Sequence, residues 1–121
     1  MKDFHDLHVW ERSHRLTLAI YAATAKFPRE ELYGLTSQIR RCAVSIGANI
    51  AEGCGKIGNN EFQRFLQIAA GSASELDYEL LLAKDLGYLT EPDYSKMADE
   101  LSQIRKMLSS LLRKVNVERK C

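Results

Sequence analysis

The chain has 121 residues, with 17 basic and 16 acidic side chains and a net charge of +1, a mixed balance that excludes a charge-swollen disordered segment. Its length suits one domain spanning 1–121 that buries about two thirds of its unfolded surface without staples. It shows neither a charged-then-apolar leader nor an apolar run of spanning length, so a cytoplasmic location with no membrane partner is expected.

The first eight residues read as a short tail carrying Phe4 and Leu7. Val9 and Trp10 begin a helix whose stripe is Leu16, Ile20, Ala23 and Phe27, spaced four, three and four. Phe27-Pro28 ends it, because the residue before proline is pushed out of the helical region. Pro28 to Gly34 is a short connection in which Glu30, Glu31 and Tyr33 form their own turn.

A second helix is expected from Leu35 or Thr36 to Glu52. Ile39, Cys42, Ile46 and Ile50 share one face, yet Ala, Ser, Gly, Val and Asn leave the other faces uncharged from Cys42 to Ala51. A helix apolar or small all round has to be covered all round, which assigns Val44, Ala48 and Ala51 to contact with sister copies as well as with the chain's own core. The small run Ala69-Ala70-Gly71-Ser72-Ala73-Ser74 is its natural partner. Gly53-Cys54-Gly55 reads as a stop and a turn, since it lacks the preceding strand and the G-K-[S/T] ending of a phosphate loop. On one helix Cys42 and Cys54 lie about 18 Å apart, beyond disulfide reach. With Cys121 they form an odd set without metal-ligand spacing, so free thiols and no metal or cofactor are expected.

After a turn over Lys56 to Asn60, with Asn59 or Asn60 as N-cap, the third helix runs from Asn60 to Leu86, about 40 Å. Phe62, Leu66, Ala69, Ala73, Leu76, Leu80, Ala83 and Gly87 form a heptad seam, which Phe65, Ile68 and Leu82 widen. Tyr78 falls off the seam and is expected to face a partner. Gly87 sits where a C-terminal cap belongs. The fourth helix opens at Thr90-Glu91-Pro92-Asp93, with Thr90 as N-cap and the proline in the first turn. Its seam is Tyr94, Met97, Leu101, Ile104, Leu108, Leu111 and Val115. No segment alternates like a strand. The expected fold is all-α, an antiparallel up-down-up-down four-helix bundle with left-handed packing and a basic C-terminal tail over 116–121.

This topology separates charge. Arg105, Lys106, Arg113, Lys114, Arg119 and Lys120 crowd the C-terminal end near Lys56 and Arg64, whereas Glu75 to Glu100 is acidic. Such polarity suits a polyanion or another subunit's flank, although helix ends favour part of it in any protein. Arg40 and Arg41 are expected opposite Ala73 to Glu75, either bridging Glu75 or contacting phosphate. Ser45, Asn49 and Glu52 share a side of the second helix. They form either a recognition or hydrolytic row or a hydrogen-bond network that fixes register; no base stands beside Ser45 to activate it. His5 and His8, in H-x-x-H, with His14 further along, lack a carboxylate or cysteine to complete a metal site and read as a solvated tail.

Taken together, Phe27-Pro28, Tyr33-Gly34-Leu35, Gln38-Ile39-Arg40-Arg41, Asn49-Ile50-Ala51-Glu52-Gly53, Phe65-Leu66, Gly71-Ser72, Glu75-Leu76 and Leu86-Gly87-Tyr88-Leu89 resemble the four helix bundle protein family founded on the 23S ribosomal RNA intervening-sequence proteins. More distantly, the chain resembles the accessory variability determinant proteins of diversity-generating retroelements. The resemblance implies a bundle assembling into a homopentameric ring, often with a basic nucleic-acid-binding surface and with no enzymatic activity established for the family. Gly47 stands where the family pattern often has proline, and Lys56 where it often has arginine. The leading expectation is a non-enzymatic ring that binds structured RNA or DNA weakly. The alternative is a protein–protein adaptor whose working surface is the acidic stretch.

Overall fold

Four helices follow one another as α1 (His8–Thr24), α2 (Leu35–Cys54), α3 (Asn59–Asp85) and α4 (Glu91–Lys120), with 3-10 turns at Phe4–Asp6 and Arg29–Glu31. The structure is a computed structural model describing residues 2–120, with side chains through Asn116, and no strand occurs among the described residues. α1 packs on α2 and α4, and α3 packs on the same two helices.

Each helix turns its sequence stripe into the common core. Leu16 and Ile20 of α1 are buried, as are Ile39, Cys42, Ile46 and Ile50 of α2. The α3 seam is buried from Phe62 to Ala83, and α4 contributes Met97, Leu101, Ile104, Leu108 and Val115. A fully buried leucine or isoleucine of this kind contributes about 1.5–3 kcal/mol. Two hydroxyls enter the core of α1 without loss because they turn back on their own helix. Ser13 donates to the Val9 carbonyl at 2.7 Å and Thr24 to the Ile20 carbonyl at 2.8 Å, a local bond that leaves no donor orphaned.

Side-chain pairs fix the register. Thr17 donates to the Ala43 carbonyl and Arg40 to Thr24; Ser45 meets Ser72 and Cys42 meets Glu75. Arg105 meets Asp77, and Lys84 meets Glu91. In each of these three sets of pairs, the number on one helix falls as the other rises.

The helix ends depart from expectation in physically simple ways. α2 continues two residues past Glu52, through Gly53 to Cys54, because Gly53 is a contact and not a stop. A Cβ there would stand 3.0 Å from Phe65 Cβ and 3.1 Å from Phe62 Cδ1, so the glycine lets α2 and α3 close on each other. α3 begins at Asn59 and its N-cap is Gly58, with φ +93°, rather than Asn59 or Asn60. Gly87, with φ +82°, closes α3 in a Schellman motif. Tyr88 N–H donates to the Ala83 carbonyl and Gly87 N–H to the Lys84 carbonyl, both at 2.9 Å. Thr90 caps α4 by accepting from Asp93 N–H at 3.2 Å.

Among the described residues, the first and last segments are held in structure. Lys2 N–H donates to the Cys54 carbonyl at 2.8 Å, the Phe4–Asp6 turn follows, and α1 starts already at His8. At the other end the helix runs on through 116 to Lys120. Ile68, expected to widen the α3 seam, is exposed instead, because it lies off the Phe62–Ala83 stripe that the core covers.

Candidate functional site

Three of the α4 cations, Arg105, Lys106 and Arg113, share one groove. Ser102, Arg105, Lys106, Ser109 and Arg113 line a shallow polar groove of about 350 Å³. Arg105 is already engaged: it donates to Asp77 at 3.0 Å and to Ser74 at 3.2 Å. Lys106, Arg113 and Lys114 are exposed and form no ion pair among the described residues. The side chains of Arg119 and Lys120, assigned to the same surface, lie outside the described residues. Lys56 and Arg64 converge on the Phe65 ring, 5.6 Å and 4.5 Å from its centroid, and Arg64 also bridges Glu61 at 3.3 Å.

Arg40 corrects the sequence reading. It does not reach Glu75 but turns to α1, donating to Thr24 Oγ1 at 2.8 Å and lying 4.7 Å above the Tyr21 ring. The helical phase of α2 decides this, since Cys42 and not Arg40 faces α3. Arg41 is exposed.

The polar row of α2 is a hydrogen-bond network between helices. Ser45 Oγ and Ser72 Oγ are 2.8 Å apart, and Asn49 Nδ2 donates to Ser45 Oγ at 2.9 Å and to the Ser45 carbonyl at 2.8 Å. Glu52, expected to share that row, is exposed at its end. Asn49 is spent on orientation, and among the described residues no histidine or carboxylate hydrogen-bonds Ser45, so the geometry is that of a register pin.

Beside that row, Val44 and Ala48 are exposed, Val44 by 45%, and Ala51 is half-buried. They floor an open groove of about 520 Å³ walled by Phe4, Trp10 and Leu18. Trp10 stacks on His14 with ring centroids 5.2 Å apart, and Phe4 lies edge-on to Trp10 at 4.7 Å. His5 stacks on Phe4 at 4.1 Å and hydrogen-bonds Asp3 at 2.7 Å, so the first histidine, though exposed as expected, is part of an aromatic corner. Towards the Arg29–Glu31 turn the apolar surface continues through Tyr21 and Leu32 to Tyr33, which is 94% exposed. Tyr78, off the α3 seam, is 62% exposed.

Residues 5–110 match the model of the 23S rRNA-intervening sequence protein family. The chain belongs to that family. It is similar to the crystal structure of a protein of unknown function from the S23 ribosomal protein family of Bacteroides thetaiotaomicron, with 28% identity, a TM-score of 0.80, and coverage of 87% of this chain and 95% of that one. No curated protein matches it. The four-helix architecture expected of a 23S rRNA-intervening sequence protein is thus present, and no described helix is long and apolar enough to cross a membrane.

One cluster in this family member escaped the sequence reading. Cys42 of α2 faces Glu75 and Glu79 of α3, and one ligand atom from each lies within 4.8 Å of the other two. The Cys42 thiol donates to Glu75 Oε2 at 2.9 Å. Burial, reinforced by these carboxylates, pushes the Cys42 thiol far up, and burial likewise raises the Glu79 carboxyl. The i, i+4 spacing of Glu75 and Glu79 was visible. Their meeting with a lone cysteine depends on the rotation of α2 against α3, which spacing along one chain does not carry.

Proposed function

We propose that this protein is a non-enzymatic, cytoplasmic, single-domain bundle with antiparallel up-down-up-down topology that assembles into a homopentameric ring and binds structured nucleic acid, RNA first, along α4. The opposed numbering of the paired residues supports the topology. The observation that carries the binding half is the α4 groove, where Lys106 and Arg113, in no ion pair among the described residues, line one surface with Ser102 and Ser109. Cations and hydroxyls together are what contacts phosphate oxygens in a sequence-independent way. The family's name makes a structured RNA the natural probe. The ring half is supported by the apolar surface from Leu18 and Val44 to Tyr33, which a single chain leaves in water.

Light scattering at micromolar concentration, with and without a structured RNA at low and high salt, tests both halves. The expected result is the mass of five copies and a salt-sensitive complex. Lys106→Gln, Arg113→Gln and Lys114→Gln should each lower the slope of log affinity against log salt by roughly 0.7–0.9. A monomer removes the ring. Affinity indifferent to salt and to these replacements removes the groove, and directs attention to the adaptor reading with Glu75 to Glu100 as its surface.

A further inference from the structure

We propose that Cys42, Glu75 and Glu79 form a binding site for a divalent transition cation of the zinc class, clamping α2 to α3. The three ligand atoms lie mutually within 4.8 Å. A tetrahedral ion with one thiolate at about 2.3 Å and carboxylate oxygens at about 2.0–2.2 Å holds its ligand atoms about 3.3–3.7 Å apart, so small side-chain rotations complete the geometry. Glu79 is the buried acid of the cluster. Its residue is 5% exposed, its carboxyl stands in the cluster, and its Oε1 has no hydrogen-bond partner. A carboxylate taken out of water with an unmatched oxygen is costly, and a cation between it and Cys42 removes that cost.

The donor set selects the ion. Magnesium and calcium require six or more oxygens, which this packed interface does not offer. A thiolate with two carboxylates suits a borderline ion that accepts three protein ligands and a water. Glu75 is exposed, so it provides the approach from solvent while Cys42 and Glu79 lie behind it. Entry of the ion releases the thiol proton of Cys42, and any proton held by Glu79, to solvent. Sulfur–metal and oxygen–metal bonds replace the thiol-to-carboxylate hydrogen bond, with no change of oxidation state.

Cobalt(II) titrated into the full chain, reduced and chelator-stripped, is the direct test. One equivalent should produce a thiolate-to-cobalt charge-transfer band in the near ultraviolet, and zinc should erase it and raise Tm. Cys42→Ser should abolish the band, and Glu79→Gln, which keeps the side chain's shape, should weaken cobalt affinity by about tenfold or more. Cys54→Ser and Cys121→Ser should leave the band intact. Cobalt bound without a thiolate band, a band that survives Cys42→Ser, or a zinc effect on Tm unchanged in a folded Glu79→Gln variant overturns the site. None of these outcomes depends on the oligomer or on RNA.

Discussion

Gly53 and Gly71 lie within helices and should respond in opposite ways to an added methyl group. At Gly53 the new Cβ would press on Phe65 Cβ at 3.0 Å, whereas at Gly71 nothing lies within 4 Å. Gly53→Ala should therefore lose about 1–3 kcal/mol by forcing α2 and α3 apart, and Gly71→Ala should gain about 0.5–1 kcal/mol by reducing the freedom of the unfolded chain. Urea denaturation followed by circular dichroism measures both. A second single-residue effect comes from the α1–α4 pair. Arg12 donates to both Glu100 oxygens, at 2.6 and 2.9 Å, and this hydrogen bonding holds the Glu100 carboxyl below its ordinary 4.5. A depressed carboxyl contributes stability above its unfolded pKa and loses it as pH falls through the folded one. Wild type should lose that contribution as pH falls below about 4.5, and Glu100→Gln, already lacking it at neutral pH, should show a flatter acid limb in denaturation midpoints.

Between elements, the Asn49–Ser45–Ser72 bonds link α2 to α3 at a layer of small residues where apolar contact is thin. Removing Ser45 Oγ leaves two polar partners half-buried, so Ser45→Ala should cost about 1–2 kcal/mol. Ser72→Ala added to it should cost much less than it does alone, and a double-mutant cycle reads that coupling. This scale also shows what sequence makes legible. The α3 and α4 seams could be read residue by residue because a repeat sustained over several turns has one rotational phase, and burial follows it from Phe62 to Ala83 and from Met97 to Val115. The end of α2 was misread because Gly53 carries two signals, a helix stop and a close approach, and only the packing of Phe62 and Phe65 separates them. Arg40 and the Cys42–Glu75–Glu79 cluster were missed for a related reason. Which side of α2 meets α1 and which meets α3 is set by three-dimensional rotation, to which the chain's uniform run of small residues gives no clue.

Across the whole molecule the near-neutral charge conceals an uneven distribution, but the pairings moderate it. Asp77 occupies Arg105 of α4 and Arg12 of α1 occupies Glu100, so the acidic stretch is partly neutralised within one chain. On the proposed function, Arg105→Gln should change the salt slope of RNA binding less than Arg113→Gln, since a phosphate must displace Asp77 before Arg105 is available. Parallel salt titrations of the two variants compare them directly. The uncharged run on α2 led to the expectation of shelter on every side. The chain's own core covers the Ile39–Ile50 side and leaves Val44 and Ala48 in water; on the proposed function, this is the surface that a second copy covers.

Trp10 stands in the wall of that same surface, and it is the sole tryptophan of the chain. Its indole fluorescence therefore comes from one place, beside His14 and over Gly47. If neighbouring subunits close over the groove, dilution should shift the emission to the red and open the fluorophore to iodide, with a midpoint equal to the dissociation constant of the assembly. The protein thus carries its own optical gauge of association, and no label needs to be attached to read it.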